Sequence, residues 1–277
     1  MTVSARPDLS ERRGFSKSAF RSFEWCQQQA WFDKHERRPF IPTPRVVFGS
    51  AVDPGVETLV QSAAAGIPLE FGRAYAAARE AIADVDVEVD LQEVDVAIDA
   101  FASQVLPHHN WHLAVTQRHL HVTLDGIGEV DGHPDILLPG EVWDVKTSTR
   151  SKETAKTVEL GTYALMVEED TGRQVTRVGY VTWVRRVRTP GWQTISYAVD
   201  DEFRDWTRAR WGGFVRANAI DDLMTNRALA LGLEPLNYSF PGGPLNGNRC
   251  QSCQYNPALG GRCDMAVREP LPGGSDD

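Results

Sequence analysis

Long apolar stretches are missing from this sequence, and no run approaches the ~18 residues that a membrane-spanning helix requires. The opening segment, MTVSARPDLSERRG, has no apolar stretch of the kind a secretory leader needs, so a cytoplasmic protein with no membrane partner is expected. Lysine is scarce, five against 24 arginines, and acids outnumber bases to leave a net charge of −9. A chain of that sign repels nucleic acid on average, so any nucleic-acid partner must be held by a local basic groove. Cysteine is scarcer still, at Cys26, Cys250, Cys253 and Cys263 only. In a reducing compartment, clustered cysteines point to metal ligation ahead of disulfides. No internal repeat is visible, and the 42% hydrophobic and 24% charged content is that of an ordinary globular protein, with disorder expected only at the ends.

What is present is an order of elements. SKSAFRSFEWCQQQAWFDKHERR, from Ser16, has a serine cap and apolar residues at helical spacing, and reads as one amphipathic helix carrying Cys26. RRPFIPTPR breaks it. FGSAVDPGVETLVQSAAAG reads as a second helix capped by Ser50, with Pro54 in the first turn, where a missing N–H costs little. Residues 71–101 read as helical around an acidic interruption, ADVDVEVDLQEVD, that fits a strand or loop equally well. After Trp111 the period changes: AVTQRHLHVTLDG, GEVDGHPDILLP and EVWDVKTS read as three successive strands of a meander. A helix follows over 152–169, then strands in QVTRVGYVTWVRRV and QTISYAVD, and a long helix over 202–231. The expected class is α/β in one compact unit: a helical lobe over 16–110, a sheet core over 111–200, a C-terminal helix and cysteine cluster over 201–265, and a disordered tail over 266–277.

Of the five lysines, only Lys146 has an acid two residues before it, Asp144. Composition alone predicts about 0.7 such pairs by chance, so Asp-x-Lys is weak by itself. Position strengthens it. Along a strand, Asp144 and Lys146 share one face while Trp143 and Val145 take the other. A turn at 138–141 would bring Asp135 beside Asp144. Two converging carboxylates repel unless a divalent cation lies between them, and oxygen ligands with open water positions suit Mg²⁺ or Mn²⁺. Lys146 could then orient or help deprotonate a metal-bound water and stabilise charge on a phosphate. Taken singly, each residue has a plainer reading: a solvated strand end for Asp144 and Lys146, a first-turn acid for Asp53. His133, before a proline, reads as a surface hydrogen-bonding residue and is left out of the site.

The order SKSAF…WC, FGSAVDPGVE, GHPD, DVK, ELGTY and three late cysteines resembles the PD-(D/E)XK nuclease superfamily, specifically RecB-like exonucleases with an iron–sulfur cluster: the CRISPR-associated, AddB-type and phage exonuclease branches. The resemblance runs from Ser16 to Cys263 and implies a restriction-endonuclease-like mixed sheet flanked by helices, closed by a metal-stapled tail. It assigns Asp135 and Asp144 to the metal, with the carbonyl of Val145 as a further ligand, and Lys146 as the catalytic lysine. The family's G-x-x-x-H histidine falls at Asp53, a hard ligand that suits Mg²⁺ at least as well. Its Q-x-x-x-Y pair falls at Glu159 and Tyr163, with glutamate for glutamine; Glu159 could pair with Lys146 or be solvated.

Cys250 and Cys253 in C-x2-C spacing, Cys263, and the distant Cys26 could hold Zn²⁺ or a 4Fe–4S cluster equally well on spacing. Either would staple the irregular tail to the first helix. The one-early, three-late split resembles the iron–sulfur enzymes, although Gln27 stands where that family often has proline after the first cysteine. WVRRVR (Arg185, Arg186, Arg188) and RDWTRARW (Arg204, Arg208, Arg210) interleave arginine with tryptophan, a pattern that clamps phosphates and stacks on single-stranded bases. The expectation is therefore a Mg²⁺- or Mn²⁺-dependent exonuclease acting on single-stranded DNA or DNA ends. The alternative is a non-catalytic DNA-end-binding subunit, and either could work inside a CRISPR adaptation or recombination complex.

Overall fold

The computed structural model of the chain describes residues 15–35, 42–185 and 188–232. Ser16 caps the first helix, its Oγ accepting the Ala19 N–H at 3.0 Å. The single helix expected there is two, α1 (Lys17–Trp25) and α2 (Gln27–His35), parted by extended backbone at Cys26 (φ −159°, ψ 106°). Each half buries its own aromatics. In α1, Phe20 and Phe23 pack on Phe214 with ring centroids 5.4 and 5.2 Å apart. In α2, Trp31 Nε1 donates to the buried Asp221 at 2.9 Å, and the His35 Nε2 lies 2.9 Å from the same carboxylate.

The second helix starts earlier than its apparent Ser50 cap. α3 (Pro44–Ala65) has Pro44 in its first turn, and Ser50 and Pro54 both lie inside it. Val47, Phe48, Ala51 and Val52 are all buried, and their packing carries the helix past the ladder bond to Ser50 that Pro54 cannot make. α3 ends at Gly66, whose left-handed φ of 65° turns its N–H back to the Ala63 and Ser62 carbonyls. The acidic stretch divides: residues 81–90 are turn and loop between α4 (Phe71–Glu80) and α5 (Leu91–Gln104). Asp90 caps α5 by accepting the Gln92 and Glu93 N–H groups at 2.9 and 3.2 Å.

The meander expected over 114–148 is five strands shared by two sheets: β2 (Val115–Thr116), β3 (Leu120–Leu124), β4 (Gly128–Gly132), β5 (Ile136–Leu138) and β6 (Glu141–Ser148). β3 and β4 join β1 (Phe15–Ser16) in a three-stranded sheet ordered β1-β4-β3. The second sheet, ordered β2-β5-β6-β7-β8, adds β7 (Arg177–Val184) and β8 (Gly191–Ala198). Within it β6 and β7 are parallel, joined across α6 (Val158–Thr171), and the other pairs are antiparallel. α6 begins at Thr157, whose Oγ1 accepts the Leu160 N–H, later than the expected residue 152. The long helix, α7 (Asp201–Ala230), lies within a residue of its expected bounds, capped by Asp200.

Strand alternation sends the two faces of this sheet into two cores. Val142, Val178 and Tyr180 pack with α1, α2, α6 and α7, whereas Trp143, Val145, Val181 and Trp183 pack with α3, α4 and α5. The helices read as one lobe over 16–110 are thus divided between opposite faces. The result is a mixed α/β layered fold, and among the described residues no helix is long and apolar enough to cross a membrane. Trp143 lies against Gly179, its partner in the β6–β7 register. A Cβ at Gly179 would stand 2.2 Å from Trp143 Cζ3 and 2.8 Å from the Ile195 carbonyl oxygen. Gly179→Ala is expected to cost about 1–3 kcal/mol, read as a lower urea midpoint at unchanged slope.

Candidate active site

β5 follows β6 only from Leu138↔Glu141 to Ile136↔Trp143. Continued, that register would place Asp135 opposite Asp144 and Pro134 opposite Val145, and proline has no N–H for the ladder. There the strands part. The Val145 N–H is taken instead by the Asp135 carboxylate, whose Oδ2 accepts it at 2.7 Å. A residue in a strand points its N–H and C=O to the same edge, so the Val145 carbonyl also faces this gap.

Asp144 is 1% exposed and forms an ion pair with Lys146, which is 21% exposed. Lys146 Nζ lies 3.7 Å from Glu159 on α6. Glu159 is buried and held from two further sides: Tyr180 donates to Oε2 at 3.1 Å, and Arg21 of α1 to Oε1 at 3.3 Å. One helical turn on, Tyr163 donates its hydroxyl to the His133 carbonyl at 2.7 Å, fixing the segment that leads into Asp135. Gly132 makes that approach possible, since a Cβ there would meet Tyr163 and Met166 at 3.1 Å. Asp53 reaches the group from α3, on the opposite face of the sheet. Gly49, one turn earlier, lets α3 lie close to β6: a Cβ on it would be 2.9 Å from Thr147 Oγ1.

Burial pushes the Asp53 carboxyl up to about 7, with Lys146 opposing and Asp144 adding to the rise. Burial likewise raises Asp135; Lys146 opposes this, Asp53 reinforces it, and the Val145 and Gln117 hydrogen bonds oppose it. Burial alone would lower Lys146, but the charges of Asp144, Glu159 and Asp135 outweigh it and hold the amine above its ordinary range. Lys146 is therefore an ammonium, suited to orienting water and neutralising developing charge. Of the two roles expected from sequence, taking a proton is the one this arrangement disfavours. Burial, followed by nearby carboxylates, also raises Tyr163 and Tyr180, which remain protonated donors.

Asp135, Asp144, Lys146 and Tyr163 line one cleft of about 390 Å³ together with Ser16, Gln117, Asp131, Gly132 and His133. Glu159 lines an adjoining cavity with Arg21, Lys152, Tyr180 and Trp206. Among the described residues no three His, Cys, Asp or Glu side chains already stand close enough to hold a metal ion together. The reason is local: Asp144 is turned to Lys146, and Asp135 to Val145 and Gln117. As a donor set the site still suits a hard divalent cation, because Asp144 adds to the rise of Asp53 and Asp53 to that of Asp135 in a poorly solvated place, and the Val145 carbonyl faces the same gap.

Sequence reasoning missed Gln117, Arg21 and Tyr180, and it left out His133, which lines the cleft and stacks on His119 with centroids 4.5 Å apart. Tyr180 was findable, since pairing β7 beside β6 sets it next to Asp144. Arg21 and Gln117 carry no sequence signal of their own.

The arginines have internal roles that a phosphate clamp does not require. Arg185 hydrogen-bonds Glu93 through Nε at 2.6 Å and lies 3.9 Å over the Phe48 ring. Arg204 is buried against Glu168 and the Val175 carbonyl, and Arg210 pairs with Glu24 at 2.7 Å. Arg208 and Arg188 are exposed, whereas Arg186 lies outside the described residues. Cys26 is buried, its Sγ accepting the Gln29 N–H at 3.5 Å; Cys250, Cys253 and Cys263 also lie outside the described residues.

The model of the PD-(D/E)XK nuclease superfamily matches residues 14–258. The chain belongs to that superfamily. Its structure is similar to that of a candidate exonuclease from Eubacterium rectale, with a TM-score of 0.54 at 12% identity over 98% of this chain and 96% of that one. This likeness extends to the fold. LHK-Exo, solved in complex with dAMP, matches at a TM-score of 0.32 and 14% identity, over 66% of this chain and 97% of its own. No curated protein matches the chain.

The raised Asp53 carboxyl of this nuclease has a consequence for stability. Its folded-state value of about 7 exceeds the unfolded 3.8, so the folded state binds the extra proton between those values and stability falls as pH rises through 7. Asp53→Asn is expected to stabilise the metal-free protein at pH 8 by roughly 2 kcal/mol, a discounted figure because the side chain is partly open to solvent. The gain should vanish near pH 4; urea unfolding at the two pH values measures it.

Proposed function

We propose that this PD-(D/E)XK protein is a Mg²⁺- or Mn²⁺-dependent DNA exonuclease of the RecB-like iron–sulfur branch, hydrolysing phosphodiesters of single strands or DNA ends. The observation that carries the reading is the parting of β5 from β6 at Pro134, which gathers Asp135, Asp144, the Val145 edge and Lys146 around one cleft. Asp53, Asp135, Asp144 and the Val145 carbonyl would hold the metal. When bound, the ion supplies Lewis acidity toward a phosphoryl oxygen and an acidified water.

The chain's own residues do the rest. Lys146, kept charged by Asp144 and Glu159, stands where it can orient a water and balance the negative charge that builds on phosphorus. Glu159, tied to Tyr180 and Arg21, fixes that ammonium, and Tyr163 fixes the approach to Asp135. Of the arginines read from sequence as phosphate contacts, Arg188 and Arg208 are exposed at the surface, Arg208 lying 3.6 Å from Asp205. Lys146→Ala and Asp144→Ala should each lower cleavage of labelled single-stranded DNA with Mn²⁺ at least about 100-fold. Undiminished cleavage in both variants would sink the site. Circular single strands should survive where linear ones are degraded, and equal loss of both would sink the exonuclease assignment.

The tail reading is part of the same proposal. One nuclease domain over 1–277 would have Cys26, Cys250, Cys253 and Cys263 holding a 4Fe–4S cluster that staples residues 201–265 to the α1–α2 junction. The break at Cys26, which sets its sulfur apart from a regular helix, supports that role. Protein purified anaerobically should be brown and contain about four iron and four sulfide per chain. Colourless protein with one zinc and no iron would overturn the cluster in favour of Zn²⁺.

A further inference from the structure

Gln117 is the one non-glycine residue with positive φ among the described residues, at 46°. Nothing in its side chain makes that conformation cheap: a left-handed residue other than glycine costs about 1–2 kcal/mol and persists only where the surroundings impose it. The surroundings are the candidate site. Gln117 follows β2, whose register with β5 (Thr116↔Ile136) places it opposite Asp135. Its N–H donates to the Asp135 carbonyl at 3.0 Å, and its Nε2 donates to Asp135 Oδ1 at 3.1 Å. With the Val145 N–H on Oδ2, the Asp135 carboxylate is held by one oxygen from each flanking strand.

The preceding residue ties this arrangement to α3. Thr116 Oγ1 donates to Glu57 Oε1 at 2.9 Å, and Gln61 Nε2 donates to the same oxygen at 2.9 Å. Glu57 and Gln61 lie one and two turns beyond Asp53 on the same face of α3. The residue before Gln117 is therefore anchored by hydrogen bonds to α3 one turn beyond Asp53, while Gln117 itself is anchored to Asp135.

We propose that Gln117 is a positioning residue: its left-handed backbone and side-chain amide hold the Asp135 carboxylate in register with Asp53 and so set how tightly the site takes a divalent ion. The inference rests on the metal-dependent reading above and assigns Gln117 no contact with substrate. The function of the strained conformation is to turn the amide back onto the carboxylate, which an extended residue at the end of β2 would carry away from it.

Glycine at this position separates strain from positioning, because it adopts positive φ freely but has no amide. Mn²⁺ binding to the full chain is measured by titration calorimetry for wild type, Gln117→Gly, Gln117→Asn, Asp135→Asn and Asp144→Asn, with melting temperatures alongside. Gln117→Gly should melt at or above wild type yet bind Mn²⁺ about 10–100-fold more weakly, with kcat reduced and KM for DNA unchanged. Gln117→Asn, which keeps the amide and tolerates the left-handed region, should recover part of the affinity. Wild-type Mn²⁺ affinity in Gln117→Gly, with binding lost in Asp135→Asn, would overturn the inference and leave the metal site standing. Weaker binding accompanied by a melting temperature well below wild type would mark a purely structural role and also overturn it. Unchanged binding in Asp135→Asn and Asp144→Asn together would remove the metal site and the inference with it.

Discussion

The hydrogen bond from the Val145 N–H to the Asp135 carboxylate is the contact around which the site is arranged. A sheet leaves no room for chemistry between paired strands, because every backbone group there is committed to the ladder. Pro134 ends the ladder by having no N–H to offer, and the orphaned donor of β6 is then satisfied by a side chain. That side-chain partner satisfies the Val145 N–H and leaves the Val145 carbonyl, on the same edge, facing the gap. It also places a carboxylate beside Asp144, and the rest of the electrostatics follows from that crowding.

Three acids and one lysine in a poorly solvated cleft make an unstable balance of charge. Lys146 is stabilised by the acids, but Asp53 and Asp135 are pushed toward their neutral forms by burial before any neighbour is considered. Under the proposed metal-dependent reading, that crowding is what the site would cost in the absence of its ion. The surrounding polar network limits how the acids can escape it. Tyr180 and Arg21 hold Glu159 against Lys146, Tyr163 holds the main chain before Asp135, and Gln117 holds the carboxylate itself.

The two cores serve this arrangement differently. The face formed with α6 and α7 supplies Glu159 and Tyr163, one turn apart on a buried helix, and α1 adds Arg21. The face formed with α3 to α5 supplies Asp53, brought close by Gly49 at the point where a side chain would collide with Thr147. Trp143 fills the space opposite Gly179 and keeps β6 and β7 locked in parallel register, which sets Tyr180 beside Asp144. Packing far from the chemistry thus determines which groups meet at it.

Local pattern in the sequence was enough for the strand carrying Asp144 and Lys146, the side of it each residue takes, the bounds of α7 to within a residue, and the presence of α4 and α6, though α6 starts six residues later than expected. Period-2 and helical spacings are properties of neighbouring residues, so they survive without a fold. The order of weak motifs also brought Asp135, Glu159 and Tyr163 into one hypothesis before any geometry was available. Where the chain's meaning depended on distant partners, local reading failed. Cys26 looked like the middle of one helix, Ser50 like a cap, and residues 114–148 like three strands of one sheet. Helix ends and sheet membership are decided by what packs against them, and here α7, the buried face of α3 and the departure at Pro134 decided otherwise. The division of the N-terminal helices between two faces, the neutralisation of Arg185 by Glu93, and the left-handed turn of Gln117 onto Asp135 belong to tertiary structure alone, because each depends on residues that lie far apart in the chain or, at Gln117, on a backbone angle that its side chain does not encode.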